Sequence, residues 1–290
     1  MATAFVLTGG ASLGAVQVGM LQALAEGGIR PDVLIGASVG AVNAAWLAAA
    51  GPEADLDQLA SLWPTMRRGT VFPTGLRSGL EGLVGRRAGL VESGPLRRLL
   101  ERHLPVRRIE DTAVALRIVV ADLLDGRDVA LRAGPLVGAV LASTAIPGVF
   151  PPVDIDGRSY VDGGVVNNAP LSHALEAGAD EVYVLPCGYA CALEVAPRSA
   201  LAVSLQALTL LVNRRLASDI DRYREACRLH VLPPPCPNRV APFDFSHADE
   251  LIAAGLAGAR AYLRSPGGVG AARLLVAHEH PGRFGRRHPG

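Results

Sequence analysis

No lysine occurs anywhere in the 290 residues, so all 28 basic side chains are arginines. That excludes mechanisms built on a lysine: a P-loop, a Schiff base, or the Tyr-Lys pair of short-chain dehydrogenases. Aromatic residues are scarce at 4%, and the net charge is only +1. Nothing in that balance points to nucleic acid. Only four cysteines are present, at 187, 191, 227 and 236, too few to staple a chain of this length. Cys187 and Cys191 stand C-x3-C apart, but no neighbouring Cys or His pair completes a zinc site. They are read as buried, reduced thiols, with no metal and no cofactor. The opening "MATAFVLTGG" lacks the basic n-region of a signal peptide. The expectation is a cytoplasmic protein, at most peripheral to a membrane.

Uncharged runs do occur, over 2–25, 33–52 and 133–153, each long enough to span a bilayer. Glycines and hydroxyls break the first, a strand-turn-helix pattern divides the second, and four prolines stand in the third. Buried strands and helices of an α/β domain explain them better. The opening alternates as strand "AFVLT", helix "LGAVQVGMLQALAEGG", strand "DVLIG" and helix "SVGAVNAAWLAAAG", which favours a parallel sheet. A helix is expected at 55–63, then a Gly/Arg-rich excursion over 64–92, then a helix at "GPLRRLLERHL". Hairpins are expected at Asp125-Gly126 and Asp156-Gly157. Helices at 135–143 and 170–179, strand "EVYVLP", a long helix over 198–226, strand "LHVLPP" and a final helix over 245–263 complete the pattern. The fold class is α/β: three layers, α/β/α, with a mainly parallel central sheet. One domain covers 1–265, and the Gly/Arg/His/Pro-rich 266–290 reads as a mobile tail.

Three stretches carry chemical potential. Gly36-Ala37-Ser38-Val39-Gly40 is a G-x-S-x-G sequence between a strand and an Ala-rich helix. Such a turn exposes the serine oxygen at a helix N-terminus, where small neighbours permit the sharp bend. Ser38 is either a nucleophile there or the N-cap of the helix. "LTGGASLG" places Gly9, Gly10, Ala11 and Gly14 in another strand-to-helix loop, able to turn backbone N–H groups toward an anion. Ala11 stands where a G-x-G-x-x-G dinucleotide loop needs glycine. "YVDGGVVNNAP" holds Asp162, Gly163 and Gly164, either a simple turn or a general base with its turn. Among seven histidines His247 is the best candidate for a triad, but a Ser-Asp pair is preferred.

In order along the chain, "TGGASLG", "GASVG", "AIPGVFPP" and "DGG" resemble the motif set of the patatin-like phospholipase family, over residues 5 to about 190. The resemblance implies that Ser38 is the nucleophile, Asp162 its partner carboxylate, and the amides of Gly9, Gly10 and Ala11 the oxyanion hole. It implies a serine acyl hydrolase acting on lipid esters. The arginines of the 64–92 excursion and of "LRRLLERHL" read either as a transient contact to an anionic membrane surface or as a solvated surface loop. Two departures stand out: Ala11 replaces a third glycine of the family loop, and Leu13 its basic residue. A catalytically impaired lipid- or partner-binding protein on the same fold is the alternative. A nucleotide-binding oxidoreductase is a third.

Overall fold

Side chains of the first strand alternate between two cores, and that alternation sets the architecture. In β1 (Thr3–Leu7), Phe5 and Leu7 point to one side while Ala4 and Val6 point to the other. The same alternation holds in β2 (Val33–Ala37) and β3 (Ala115–Asp122). Against one face pack α1 (Ala15–Glu26), α2 (Val39–Ala50), α5 (Gly94–His103), α6 (Leu136–Ser143) and α9 (Ala248–Arg264). Against the other lie α7 (Leu171–Glu176) and α8 (Ala200–Tyr223). The result is a three-layer α/β/α domain. The computed structural model describes residues 1–71, 89, 91–193 and 195–265. Most of the 64–92 excursion and the whole 266–290 segment lie outside the described residues.

Among the described residues the sheet has eight strands, in the order β5-β6-β3-β2-β1-β7-β8 with β4 (Asp128–Leu131) also paired to β3. Parallel pairing joins β3, β2, β1, β7 (Glu181–Leu185) and β8 (Arg228–Val231). The strands β4, β5 (Val153–Ile155) and β6 (Arg158–Asp162) are antiparallel additions. Asp156 and Gly157 close the β5–β6 hairpin with φ of 51° and 78°, as a two-residue turn requires. Short helices α3 (Leu56–Leu62) and α4 (Arg68–Val71) follow α2. No helix among the described residues is long and apolar enough to cross a membrane.

One feature of the register positions everything that follows. β2 runs parallel to β3 and ends with Ala37 opposite Val119. β6 runs antiparallel and ends with Asp162 opposite Val120. The two strands therefore point their C-terminal ends at adjacent rungs of β3, and Ser38 meets Asp162 there.

Candidate active site

Ser38 takes φ 55° and ψ −129°, a conformation that a non-glycine residue adopts only under constraint. The constraint comes from both sides. Its N–H donates to Ser143 Oγ at 2.9 Å, and that hydroxyl donates to the Val119 carbonyl at 2.6 Å. Beyond it α2 begins immediately, because Gly40 lets the helix abut the end of β1. A Cβ on Gly40 would stand 2.2 Å from the Leu7 carbonyl oxygen. Gly40→Ala is accordingly expected to cost about 1–3 kcal/mol of stability, read as a lower urea midpoint. Gly36, just before the turn, packs against the first turn of α2 in the same way.

Ser38 Oγ donates to Asp162 Oδ2 at 2.6 Å. The other carboxylate oxygen accepts from the Gly164 N–H at 2.8 Å. Gly163 makes the turn after Asp162 possible, since a Cβ there would lie 2.2 Å from the Val119 carbonyl oxygen. Both partners are buried, Ser38 at 7% and Asp162 at 5% exposure. Burial pushes the Asp162 carboxyl up to about 6, while the hydrogen bonds from Ser38 and Gly164 pull the other way. The contact is direct, and no histidine among the described residues bonds to either partner. His247 is half-buried and held by Glu250 and Asp244. His173 bridges Asp128 and Glu176, and His230 stacks on Tyr183 while bonding to Glu181.

The glycine loop faces the same spot. Gly9, Gly10, Ala11, Ser38 and Asp162 share the wall of one small cavity of about 70 Å³. The Gly9 N–H, expected as an oxyanion donor, is instead engaged by Asn168 Oδ1 at 2.8 Å. Among the described residues no acceptor meets the N–H groups of Gly10 and Ala11. Ala11 holds φ 50°, the left-handed region in which the loop's usual glycine costs nothing and alanine costs about 1–2 kcal/mol. Leu13 is buried in the core and Gly14 ends the 3-10 turn as the N-cap of α1, its carbonyl accepting from Asn43 Nδ2.

Several residues in this arrangement had no signature in the sequence reading. Asn168 ties the glycine loop to the turn after Asp162, and Ser143 holds the elbow. Behind the loop, Gln17 donates to the carbonyls of Thr8 and Leu185 and accepts from Asn43, which in turn accepts from Trp63 Nε1. A polar residue inside an apolar run was the available signal for Gln17, Asn43 and Ser143. Asn168→Ala strands the buried Gly9 amide, and it is expected to lower kcat by up to about 10²-fold with KM little changed. Steady-state kinetics on any turned-over ester reads this.

The cysteines are corrected in part. Cys187 is buried, its thiol donating to the Thr8 carbonyl at 3.3 Å, but Cys191 and Cys227 are partly exposed and Cys236 exposed. None of the four forms a disulfide, and Cys187, just past the end of β7, is the one that is fully buried. No cluster of metal-ligating side chains exists among the described residues.

A family model described as patatin-like phospholipase matches residues 5–175. An uncharacterized NTE family protein of Mycobacterium tuberculosis is 30% identical over 177 residues, covering 61% of this chain and 46% of the relative. A second such protein from the same species is 28% identical over 280 residues, covering 90% of this chain and again 46% of the relative. Patatin-like phospholipase domain-containing protein 7 of Rattus norvegicus is 29% identical over 64% of this chain and 14% of its own length. The chain thus spans less than half the length of these relatives. Among solved structures, VipD from Legionella pneumophila superimposes with a TM-score of 0.52 at 14% identity, over 94% of this chain and 66% of that one.

Proposed function

The chain belongs to the patatin-like phospholipase family, and from that premise we propose that it is a serine acyl hydrolase cleaving lipid carboxylic esters through a Ser38–Asp162 dyad. The observation that carries this reading is the 2.6 Å hydrogen bond from Ser38 Oγ to a buried carboxylate, made beside two amides that no acceptor among the described residues meets.

Asp162 takes the Ser38 proton as Oγ attacks the ester carbonyl carbon. The carbonyl oxygen becomes an oxyanion and is received by the amides of Gly10 and Ala11, with the N-terminus of α2 adding a favourable dipole. Collapse of the tetrahedral species expels the alcohol, which takes the proton from Asp162 and leaves Ser38 acylated. Water then gives its proton to Asp162 and attacks the acyl carbon. The carboxylic acid departs, and the proton returns to Ser38. The proposed chemistry calls on no metal or cofactor. Gly9 serves it indirectly, through the Asn168 clamp.

The test is ester hydrolysis by the purified chain, followed against pH. Asp162 acts only as the carboxylate, and burial raises its carboxyl to about 6. Rate therefore falls as pH drops through that value. Below it kcat/KM is expected to lose about tenfold per pH unit, and above about 7 to be flat. A profile without an inflection between pH 5 and 7 contradicts Asp162 as the base.

A further inference from the structure

Two cavities open on Ser38, and their chemistry differs. One is the 70 Å³ space already described, whose wall includes Asp162, Asn168 and Asn213. The other, of about 60 Å³, also begins at Ser38 and Ala11 but runs between α2 and α5. Val42, Met66, Leu96, Leu99, Phe150 and Phe245 shape it. Two further wall residues carry polar atoms, and both atoms are turned away. Thr144 Oγ1 donates to the carbonyls of Val140 and Leu141, and Trp63 Nε1 donates to Asn43. Among the described residues no other side chain brings a polar atom to the wall beyond Ser38 itself.

From this asymmetry we infer that the apolar slot between α2 and α5 is the acyl-binding site, and that its size selects short acyl chains. The inference rests on the acyl-hydrolase reading above and adds a substrate class to it. An ester held at Ser38 has one apolar arm, the acyl chain, and one arm that ends in an alcohol. The acyl arm belongs in the wall that offers only hydrocarbon. The alcohol arm belongs in the 70 Å³ space, whose wall adds Asp162, Asn168 and Asn213 to its apolar side chains and shares Leu205, Pro242 and Phe243 with a wide cleft of about 1070 Å³. That cleft carries both signs of charge, with Arg67, Arg68, Asp244 and Asp249 all in its lining. It suits a bulky polar alcohol, whereas the slot has room for on the order of four methylene-sized groups.

The experiment measures kcat/KM for p-nitrophenyl esters from acetate to dodecanoate with the wild-type chain, Leu99→Ala and Leu99→Trp, alongside melting curves. Leu99 is half-buried on α5, so neither change removes a fully buried side chain. For the wild type, kcat/KM is expected to rise about fourfold per methylene, reach a maximum at about butyrate to hexanoate, and then fall. Leu99→Ala should move the maximum to longer chains, a gain that misfolding cannot produce. Leu99→Trp should lower turnover of the longer esters by about tenfold or more relative to acetate. A maximum at decanoate or beyond in the wild type overturns the inference. So does a length profile that neither variant moves while acetate is still cleaved through Ser38. Failure to cleave any ester, with Ser38 inert, takes down the hydrolase reading itself and the slot assignment with it.

Discussion

Ser38→Ala is expected to lower kcat by at least about 10⁴-fold, to the level of the uncatalysed reaction or slightly above it. The attacking oxygen is lost outright, and no second hydroxyl shares its place: Ser143 Oγ is committed to the Ser38 amide and the Val119 carbonyl. The slot, the open amides and the carboxylate all remain, so substrate binding should change little. Folding should survive as well. Removing the hydroxyl leaves Asp162 without one hydrogen bond, but Gly164 still donates to the other oxygen. An active Ser38→Ala variant, measured on an ester the wild type turns over, contradicts the nucleophile assignment.

Asp162→Asn should be nearly as damaging, about 10³- to 10⁴-fold in kcat, because an amide cannot accept the proton that Ser38 gives up. The same substitution has an opposite consequence for stability. Burial raises the folded-state pKa of Asp162 to about 6, above the ordinary carboxyl value of 3.8. Its proton therefore stabilises the fold at low pH, and this contribution is lost as pH rises through 6. At pH 8 the wild type holds a charge in a buried site, at a cost of up to about 3 kcal/mol. Asparagine carries none. Asp162→Asn is thus expected to melt higher than the wild type above pH 7 and to lose that advantage near pH 4. A variant that is inactive yet more stable separates chemistry from folding in one measurement. Full activity in Asp162→Asn sinks the dyad. His247 does not replace it, since both its ring nitrogens are taken, by Glu250 and Asp244.

Much of the layer structure was legible because it follows from periodicity. The strands β1 and β2, the helix after each, and the turn at Asp156-Gly157 all appear where local chemistry puts them. Motif order also made Ser38 and Asp162 candidates. Their contact was not legible: it depends on β6 joining β3 antiparallel, one rung beyond the end of β2. Sequence spacing says nothing about that pairing. The donor set of the glycine loop was legible only in part, because Asn168 reaches Gly9 from 159 positions away. Ala11 shows the limit from the other side. Whether alanine there is harmless turns on the sign of φ, and φ is positive.

The excess stability that a relaxed site would have is given up at Ser38, Ala11 and Asp162 together, by backbone strain in two and a buried charge in the third. An impaired binding protein would have no reason to keep a strained serine hydrogen-bonded to a buried carboxylate. That difference can be read without knowing the substrate. The most direct measurement is reaction of the folded chain with a fluorophosphonate, followed by intact mass and peptide mapping, with Ser38→Ala as control. One adduct on Ser38, absent from the control and formed faster above pH 6 than below it, is the expected result. A folded protein that takes no adduct, or takes it at another residue, contradicts an activated Ser38.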